Sequence, residues 1–136
     1  MLYKGNELHI EMNGRTYHCA LDVTMDYVGG KWKTVILWYL RKSALRFSEL
    51  NRKIPNITEK MLSMQLRKME KDGFVKRTLY PEVPPRVEYS LTAEGKKLIP
   101  LLEELARWGR RRAEQQGRFV ETKTGKQVKL NFKQAD

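Results

Sequence analysis

The side chains best suited to covalent or metal chemistry are one thiol and two imidazoles near the start of the chain. Cys19 is the single cysteine, so no disulfide can form within the chain. His9 and His18 have no obvious carboxylate to orient them, and the three residues do not make a convincing zinc set. No catalytic pair of nucleophile and base and no phosphate-binding loop is visible. The sequence therefore predicts no metal, no cofactor and no catalysis.

Positive charge offers a different chemistry, the binding of anions. The 136 residues carry a net charge of +11, and residues 31–86 hold 14 basic and five acidic side chains, a net +9. Residues 1–30 carry −2 and residues 107–136 carry +6. Such a field attracts nucleic acid, an anionic membrane or an acidic protein, and does not choose among them. The secondary-structure elements that carry these charges must indicate which of the three partners is favoured.

Helical periodicity and capping residues predict two helices joined by a tight turn. A helix is predicted over 31–41, and Ser48 can cap the next, over 49–54. Thr58 begins a further helix that ends at Gly73, where glycine provides a left-handed cap. This succession predicts a helix-turn-helix unit. The predicted core face of the 31–41 helix consists of Trp32, Val35, Ile36, Tyr39 and Leu40.

Strand and turn signals flank these helices. Asn13-Gly14 between the segments 8–12 and 15–18 predicts a hairpin, because Asn-Gly supplies the positive φ angles of a type I′ turn. Asp22 can cap a short helix after it. Two alternating segments, 74–80 and 86–91, enclose a Pro-rich turn and predict a second hairpin.

A long helix is predicted after the second hairpin, with Thr92 as its cap. Its apolar stripe consists of Leu98, Leu101, Leu102, Leu105 and Trp108. The element order predicts a mainly α protein with a small β wing (α+β), a winged helix-turn-helix. Three parts are predicted: a hairpin extension over 1–18, the winged helix-turn-helix domain over 19–116, and a basic tail over 117–136 with a weak hairpin signal at Thr124-Gly125.

Short motifs occur in a fixed order along the chain. They are Cys19, Val28-Gly-Gly-Lys-Trp-Lys33, Arg46-Phe-Ser-Glu-Leu50, Ile57-Thr-Glu-Lys-Met-Leu62, Gln65-Leu-Arg67, Asp72-Gly-Phe-Val75, Tyr80-Pro-Glu-Val-Pro-Pro-Arg-Val-Glu-Tyr-Ser-Leu-Thr92 and Gly95. Together they resemble the HxlR-type winged helix transcription regulators of bacteria. The resemblance covers roughly residues 18–112. It implies a dimeric DNA-binding regulator that represses or activates nearby genes.

The predicted recognition helix, 58–72, has two faces of different chemistry. If Leu62, Leu66 and Met69 face the core, a turn of about 100° per residue places other side chains outward. The outward set is Lys60, Met64 and Arg67, flanked by Met61, Ser63 and Lys68. Lysine and arginine side chains can bind phosphates or guanine, and a methionine thioether can contact a thymine methyl. The helix is therefore predicted to enter a major groove. Thr58 can direct a backbone amide toward a phosphate. The alternative, a merely solvated charged face, is disfavoured by the helix-turn-helix context.

The wing, 74–91, carries a second set of cations. Pro84-Pro85 stiffens its tip, so Arg86 is predicted to enter a minor groove at low entropic cost. Lys76 and Arg77 are predicted to contact flanking phosphates. An ordinary hairpin arginine is the alternative for Arg86.

The stripe on the last helix is predicted to bind a second copy of the chain, because Trp32, Ile36, Leu62 and Leu66 already close a core. Packing on its own domain is the alternative. A symmetric dimer places two recognition helices roughly 34 Å apart and predicts a pseudo-palindromic operator in double-stranded DNA.

Cys19 has two interpretations. A lone cysteine is commonly a small buried hydrophobe. The resemblance implies a sensor, since some members of the family detect oxidants or electrophiles with a cysteine here. A disulfide would have to join two subunits or a small thiol. An oxidant or small-molecule effector is therefore a hypothesis.

The sequence leaves partners other than DNA as alternatives. A winged helix can also bind RNA or a protein. A membrane-surface role for the tail is disfavoured, because Phe119, Val120, Val128, Leu130 and Phe132 fit strand alternation. No stretch resembles a membrane span or a signal peptide, so a cytoplasmic protein is expected.

Overall fold

The computed structural model describes residues 2–129. Its helices are α1 (Ala20–Val28), α2 (Lys33–Leu40), α3 (Phe47–Lys53), α4 (Glu59–Lys71) and α5 (Ala93–Gln116). Its strands are β1 (Leu2–Tyr3), β2 (Asn6–Glu7), β3 (Ile10–Met12), β4 (Arg15–Tyr17), β5 (Leu45–Arg46), β6 (Val75–Tyr80), β7 (Arg86–Leu91), β8 (Phe119–Val120) and β9 (Gln127–Val128). This succession of helices with one small three-stranded sheet is the predicted winged helix-turn-helix of the α+β class.

The chain divides into two compact units, with the boundary between Ile99 and Pro100 inside α5. The second unit contains the rest of α5 and the β8–β9 hairpin, in which Phe119 pairs with Val128. Gly125 has a φ of 69°, so the predicted turn at Thr124-Gly125 is confirmed. Of the tail residues assigned to strand alternation, Leu130 and Phe132 lie outside the described residues.

The core of the first unit is apolar and is supplied by α2, α3, α4 and the wing. Its fully buried side chains are Ile36, Leu37, Leu50, Ile54, Leu62, Leu66, Met69 and Val75. The prediction for α2 was partly wrong, since Leu37 is fully buried while Trp32 and Val35 are only half-buried. Residues 35–40 are all apolar, so periodicity cannot distinguish one face of α2 from another.

The helix-turn-helix consists of α3, a turn and α4. The prediction of a cap at Ser48 was wrong, because α3 begins at Phe47 and the Arg46 backbone N–H donates to Glu49 Oε1 at 3.0 Å. At α4 the prediction is confirmed, since the Met61 backbone N–H donates to Thr58 Oγ1 at 3.1 Å. A side-chain cap of this kind fixes where a helix starts.

The wing and the start of α5 are locked to the end of α4. Strand β7 lies between β5 and β6, and the wing pairing runs from Val75–Leu91 to Tyr80–Arg86. Gly73 has the predicted positive φ, 85°. Thr92 Oγ1 donates to the Gly73 carbonyl at 2.6 Å and accepts from the Gly95 backbone N–H at 3.1 Å. The Thr92 hydroxyl therefore links the end of the wing and the start of α5 to the end of α4.

The N-terminal region contains the predicted hairpin and one that was not predicted, β1–β2. Asn13 (φ 53°) and Gly14 (φ 74°) connect β3 to β4, as the Asn-Gly signal indicated. Helix α1 starts after Cys19, so the predicted cap at Asp22 was wrong. Asp22 lies in the first turn, where a carboxylate is favoured by the helix dipole, and it accepts from the His18 backbone N–H at 3.3 Å.

Candidate nucleic-acid interface

Helix α4 separates its apolar and cationic faces as the spacing predicts. Leu62, Leu66 and Met69 are at most 1% exposed. The side chains of Lys60, Met64, Arg67 and Lys68 are exposed, Met64 to 53%, while Met61 and Ser63 are half-buried. An exposed row of cations interrupted by a thioether is a surface that can meet phosphates and base edges.

On the wing, the cations differ in how freely they are presented. Lys76 and Arg77 are exposed on β6. The Arg86 guanidinium lies 4.2 Å from the centroid of the Tyr80 ring. Its nitrogens are 3.2 Å from Glu82 Oε1 and 3.6 Å from Glu88 Oε1, and the side chain is only 29% exposed. The sequence predicts that Arg86 is presented at the tip toward DNA, whereas the structure holds its guanidinium against its own strands. The positions of Glu82 and Glu88, four residues before and two residues after Arg86, were the sequence signal for these ion pairs.

An open cleft that the sequence did not predict lies between the N-terminal elements and the second half of α4. Its volume is about 670 Å³. Its lining residues are Asn13, Arg15, Tyr17, Asp26, Tyr27, Met64, Arg67, Lys68, Lys71 and Asp72. Three of them, Met64, Arg67 and Lys68, also belong to the predicted DNA-reading set.

Asp26 on α1 fixes the β3–β4 hairpin beside α4. Its two carboxylate oxygens accept from Arg15 Nη1 at 2.9 Å, and Oδ2 accepts from the Tyr17 hydroxyl at 2.7 Å. The Tyr17 hydrogen bond and the nearby Arg15 and Lys68 charges hold the pKa of Asp26 below its usual value. The same contacts raise the pKa of Arg15 and of Tyr17. A charged Asp26 is therefore the anchor of the hairpin.

Behind the cleft lies a buried cation that the sequence analysis also missed. Lys33 is 7% exposed, and this burial, reinforced by the neighbouring Lys68 ammonium, lowers its pKa. Asp72 and Asp26 act in the opposite direction. Nothing in the pattern around Lys33 distinguishes it from the exposed Lys31, so burial could not be predicted from it.

The stripe on α5 is mostly uncovered. Leu102 is buried and Leu98 is half-buried. Leu101, Leu105 and Trp108 are 56%, 65% and 61% exposed. Three large apolar side chains within eight residues are more than a helix normally leaves in water.

Cys19 is half-buried at the N-cap of α1. Among residues 2–129, no group of three His, Cys, Asp or Glu side chains is arranged to hold a metal ion. In the same range, no helix has both the length and the apolar character needed to cross a bilayer.

The fold and the cationic helix define a DNA-binding transcription regulator of the winged helix-turn-helix class. Residues 27–117 match the family model described as HxlR-like helix-turn-helix, and the chain belongs to that family. It is a family of transcription regulators and not of enzymes.

Relatives agree with this assignment. An uncharacterised HTH-type transcriptional regulator of Methanothermobacter thermautotrophicus is 49% identical over 100 residues, which are 74% of this chain and 76% of the relative. The uncharacterised HTH-type transcriptional regulator YkvN of Bacillus subtilis is 48% identical over 75% of this chain and 86% of its own. The solved structure of the redox regulator HypR in its oxidized form is similar with a TM-score of 0.66 and 43% identity, covering 68% of this chain and 96% of that one.

Proposed function

We propose that the chain regulates transcription by binding a specific sequence of double-stranded DNA with α4 in the major groove and the β6–β7 wing at the minor groove. The observation that carries the proposal is the exposed face of α4, where Lys60, Arg67 and Lys68 surround Met64. A helix whose opposite face is buried and whose start is capped offers such a face rigidly.

The side chains divide by role. Arg67 and Lys60 read guanine or bind phosphate, Met64 meets a thymine methyl, and Lys68 binds phosphate. Met61 and Ser63 border the face, and Thr58 sets the start of the helix. On the wing, Lys76 and Arg77 bind flanking phosphates, and Arg86 enters the minor groove after exchanging its glutamates for DNA.

The exposed part of the α5 stripe supports a homodimer. Leu101, Leu105 and Trp108, together with Leu98 and Leu102, provide an apolar strip that a second copy covers under two-fold symmetry. The two α4 helices then address half-sites roughly 34 Å apart in a pseudo-palindromic operator. Residues 19–116 thus combine DNA binding and dimerisation. A regulator of this kind acts in the cytoplasm, where prokaryotic DNA lies.

The test is selection of bound duplexes from fragmented genomic DNA, followed by footprinting of the enriched sequence. The expected result is a protected site with two inverted half-sites centred about 10 base pairs apart, or a multiple of that. Enrichment of RNA over duplex DNA in a parallel selection would support the RNA-binding alternative instead. Capture of a protein with no nucleic-acid enrichment would support an interaction module.

A redox response at Cys19 is a second proposal, favoured by the similarity to a redox regulator and by the partial exposure of this thiol. Oxidation by diamide would join the Cys19 sulfurs of two subunits, or Cys19 and a small thiol. Two thiols lose two protons and two electrons to diamide, which becomes the hydrazine. We expect diamide to change operator affinity in the parent and not in Cys19→Ser. Equal responses of both proteins would assign Cys19 to packing alone.

A further inference from the structure

The cleft beside α4 combines aromatic walls with a concentration of cations. Tyr17 of β4 and Tyr27 of α1 line it together with Met64 of α4. Tyr27 is held edge-on to Phe74, with ring centroids 5.6 Å apart, and its hydroxyl accepts from Asn13 Nδ2 at 3.4 Å. A volume of about 670 Å³ lies in the range of small-molecule sites, roughly 300–1,000 Å³.

The cleft is lined by more cations than carboxylates. Its lining residues Arg15, Arg67, Lys68 and Lys71 outnumber Asp26 and Asp72, and the buried Lys33 lies next to Lys68. The carboxylate of Asp26 is already engaged by Arg15 and Tyr17. The Lys33 and Lys68 ammonium groups repel each other, Asp72 and Asp26 offset this repulsion only in part, and an anion bound beside Lys68 would reduce it further.

We propose that this cleft is an effector site for a small anionic molecule with an aromatic body, whose carboxylate or phosphate binds Arg67 and Lys68 while its ring packs between the tyrosines and Met64. Asn13, Arg15 and Tyr17 precede the residues that match the family model, 27–117. Part of the lining that would select the ligand therefore belongs to the N-terminal hairpin, outside the matched residues, while Tyr27 and Met64 lie within them.

Occupation of the cleft would act directly on DNA binding. Arg67, Lys68 and Met64 belong to the face proposed to read DNA, so ligand and operator compete for the same side chains. This consequence rests on the proposed function, whereas binding of the ligand itself does not. The two are separated by measuring ligand binding in the absence of DNA.

The binding test uses calorimetric titration of the full chain with phenyl phosphate and benzoate, compared with benzyl alcohol and inorganic phosphate. At least one aromatic anion is expected to bind about tenfold more tightly than either comparison compound, because charge and ring both contribute. NMR shifts should map to Tyr17, Tyr27 and Met64. Lys68→Gln should weaken this binding about tenfold, while Lys60→Gln, on the same helix but outside the cleft, should leave it unchanged. Met64→Asn should weaken the binding of the aromatic anion but not the binding of inorganic phosphate.

The proposal is overturned if neither aromatic anion shifts the cleft residues, or if Lys68→Gln binds them as the parent does. If inorganic phosphate binds as tightly as phenyl phosphate, the proposed recognition of an aromatic ring is wrong. A competition arm then adds the bound ligand to a labelled operator complex and should displace DNA. Ligand binding without competition would overturn the effector role. A chain that binds the ligand but no duplex DNA would keep the site and refute the proposed function.

Discussion

At the scale of single residues, Lys33 shows how function and stability are opposed. A lysine that is 7% exposed beside another ammonium gives up hydration, and the nearby Asp72 and Asp26 charges compensate this loss only in part. The flexible methylene stem fits the core, so the unfavourable part is the charge alone. Such a group is expected where a protein keeps a cation for a ligand.

Replacing Lys33 by Met should therefore stabilise the protein. The substitution keeps most of the volume and removes the buried charge, and we expect the free energy of unfolding to rise by on the order of 1 kcal/mol in urea titrations. The lowered pKa of Lys33 means that the unfolded chain binds more protons, so the parent gains stability as pH rises from the lowered pKa toward about 10.4. The Lys33→Met variant should lack this increase in stability with pH. Lys60→Met, at an exposed site, is the control, and a loss of stability in Lys33→Met would show that the charge is satisfied.

At the scale of elements, the β3–β4 hairpin depends on one carboxylate. Asp26 is the common acceptor for Arg15 and Tyr17, and its pKa is lowered by these contacts. The hairpin contributes Asn13, Arg15 and Tyr17 to the lining of the cleft, so its attachment affects the shape of the cleft.

Asp26→Asn should loosen the hairpin without unfolding the core. Hydrogen exchange at the Tyr17 amide, which pairs with Ile10, should accelerate, and exchange at Leu66 should not. Because the folded pKa of Asp26 is depressed, the anchor is fully present above about pH 5 and is lost as pH falls through the lowered value. The variant should lack this acid transition. If Asp22→Asn, a control on the same helix, accelerates exchange equally, the anchor has been assigned to the wrong carboxylate.

The wing carries its own prediction, because Arg86 is bound to Glu82 and Glu88. Glu82→Gln should release the guanidinium and remove a charge that repels DNA, tightening operator binding by roughly two- to fivefold. Arg86→Ala should weaken it by about 1–3 kcal/mol. Fluorescence anisotropy with a labelled operator measures both. Unchanged affinity in both variants would place the wing outside the interface.

Elements whose sequence signal lies within a few neighbouring residues could be predicted, whereas features formed by distant residues could not. Asn13-Gly14, Thr58, Gly73 and Thr92 were assigned correctly, because turn and cap chemistry acts within a few residues. The outward face of α4 was also correct, since its polar and apolar residues alternate at helical spacing. The cleft was not predictable, because it joins residues near position 15 to residues near 68, and no periodicity reports such a contact.

At the scale of the whole molecule, dimerisation should depend on the exposed apolar strip of α5. Leu105→Glu combined with Trp108→Glu should shift sedimentation from dimer to monomer and weaken operator binding, since the half-sites lose their fixed spacing. Both residues are more than 60% exposed, so the fold of the subunit should survive. Lys96→Glu, roughly half a turn around the helix from Leu105, is the control. A double variant that still sediments as a dimer would move the interface elsewhere.

If the cations of α4 bind duplex DNA, operator affinity must depend strongly on salt concentration. The parent should show a linear fall of log affinity with log salt, with a slope that reflects roughly 6–10 phosphate contacts per dimer. Arg67→Ala should weaken binding by about 1–3 kcal/mol, while Lys97→Ala on α5 should not. A flat salt response in the parent, or equal affinity of the parent and Arg67→Ala at every salt concentration, would contradict the account.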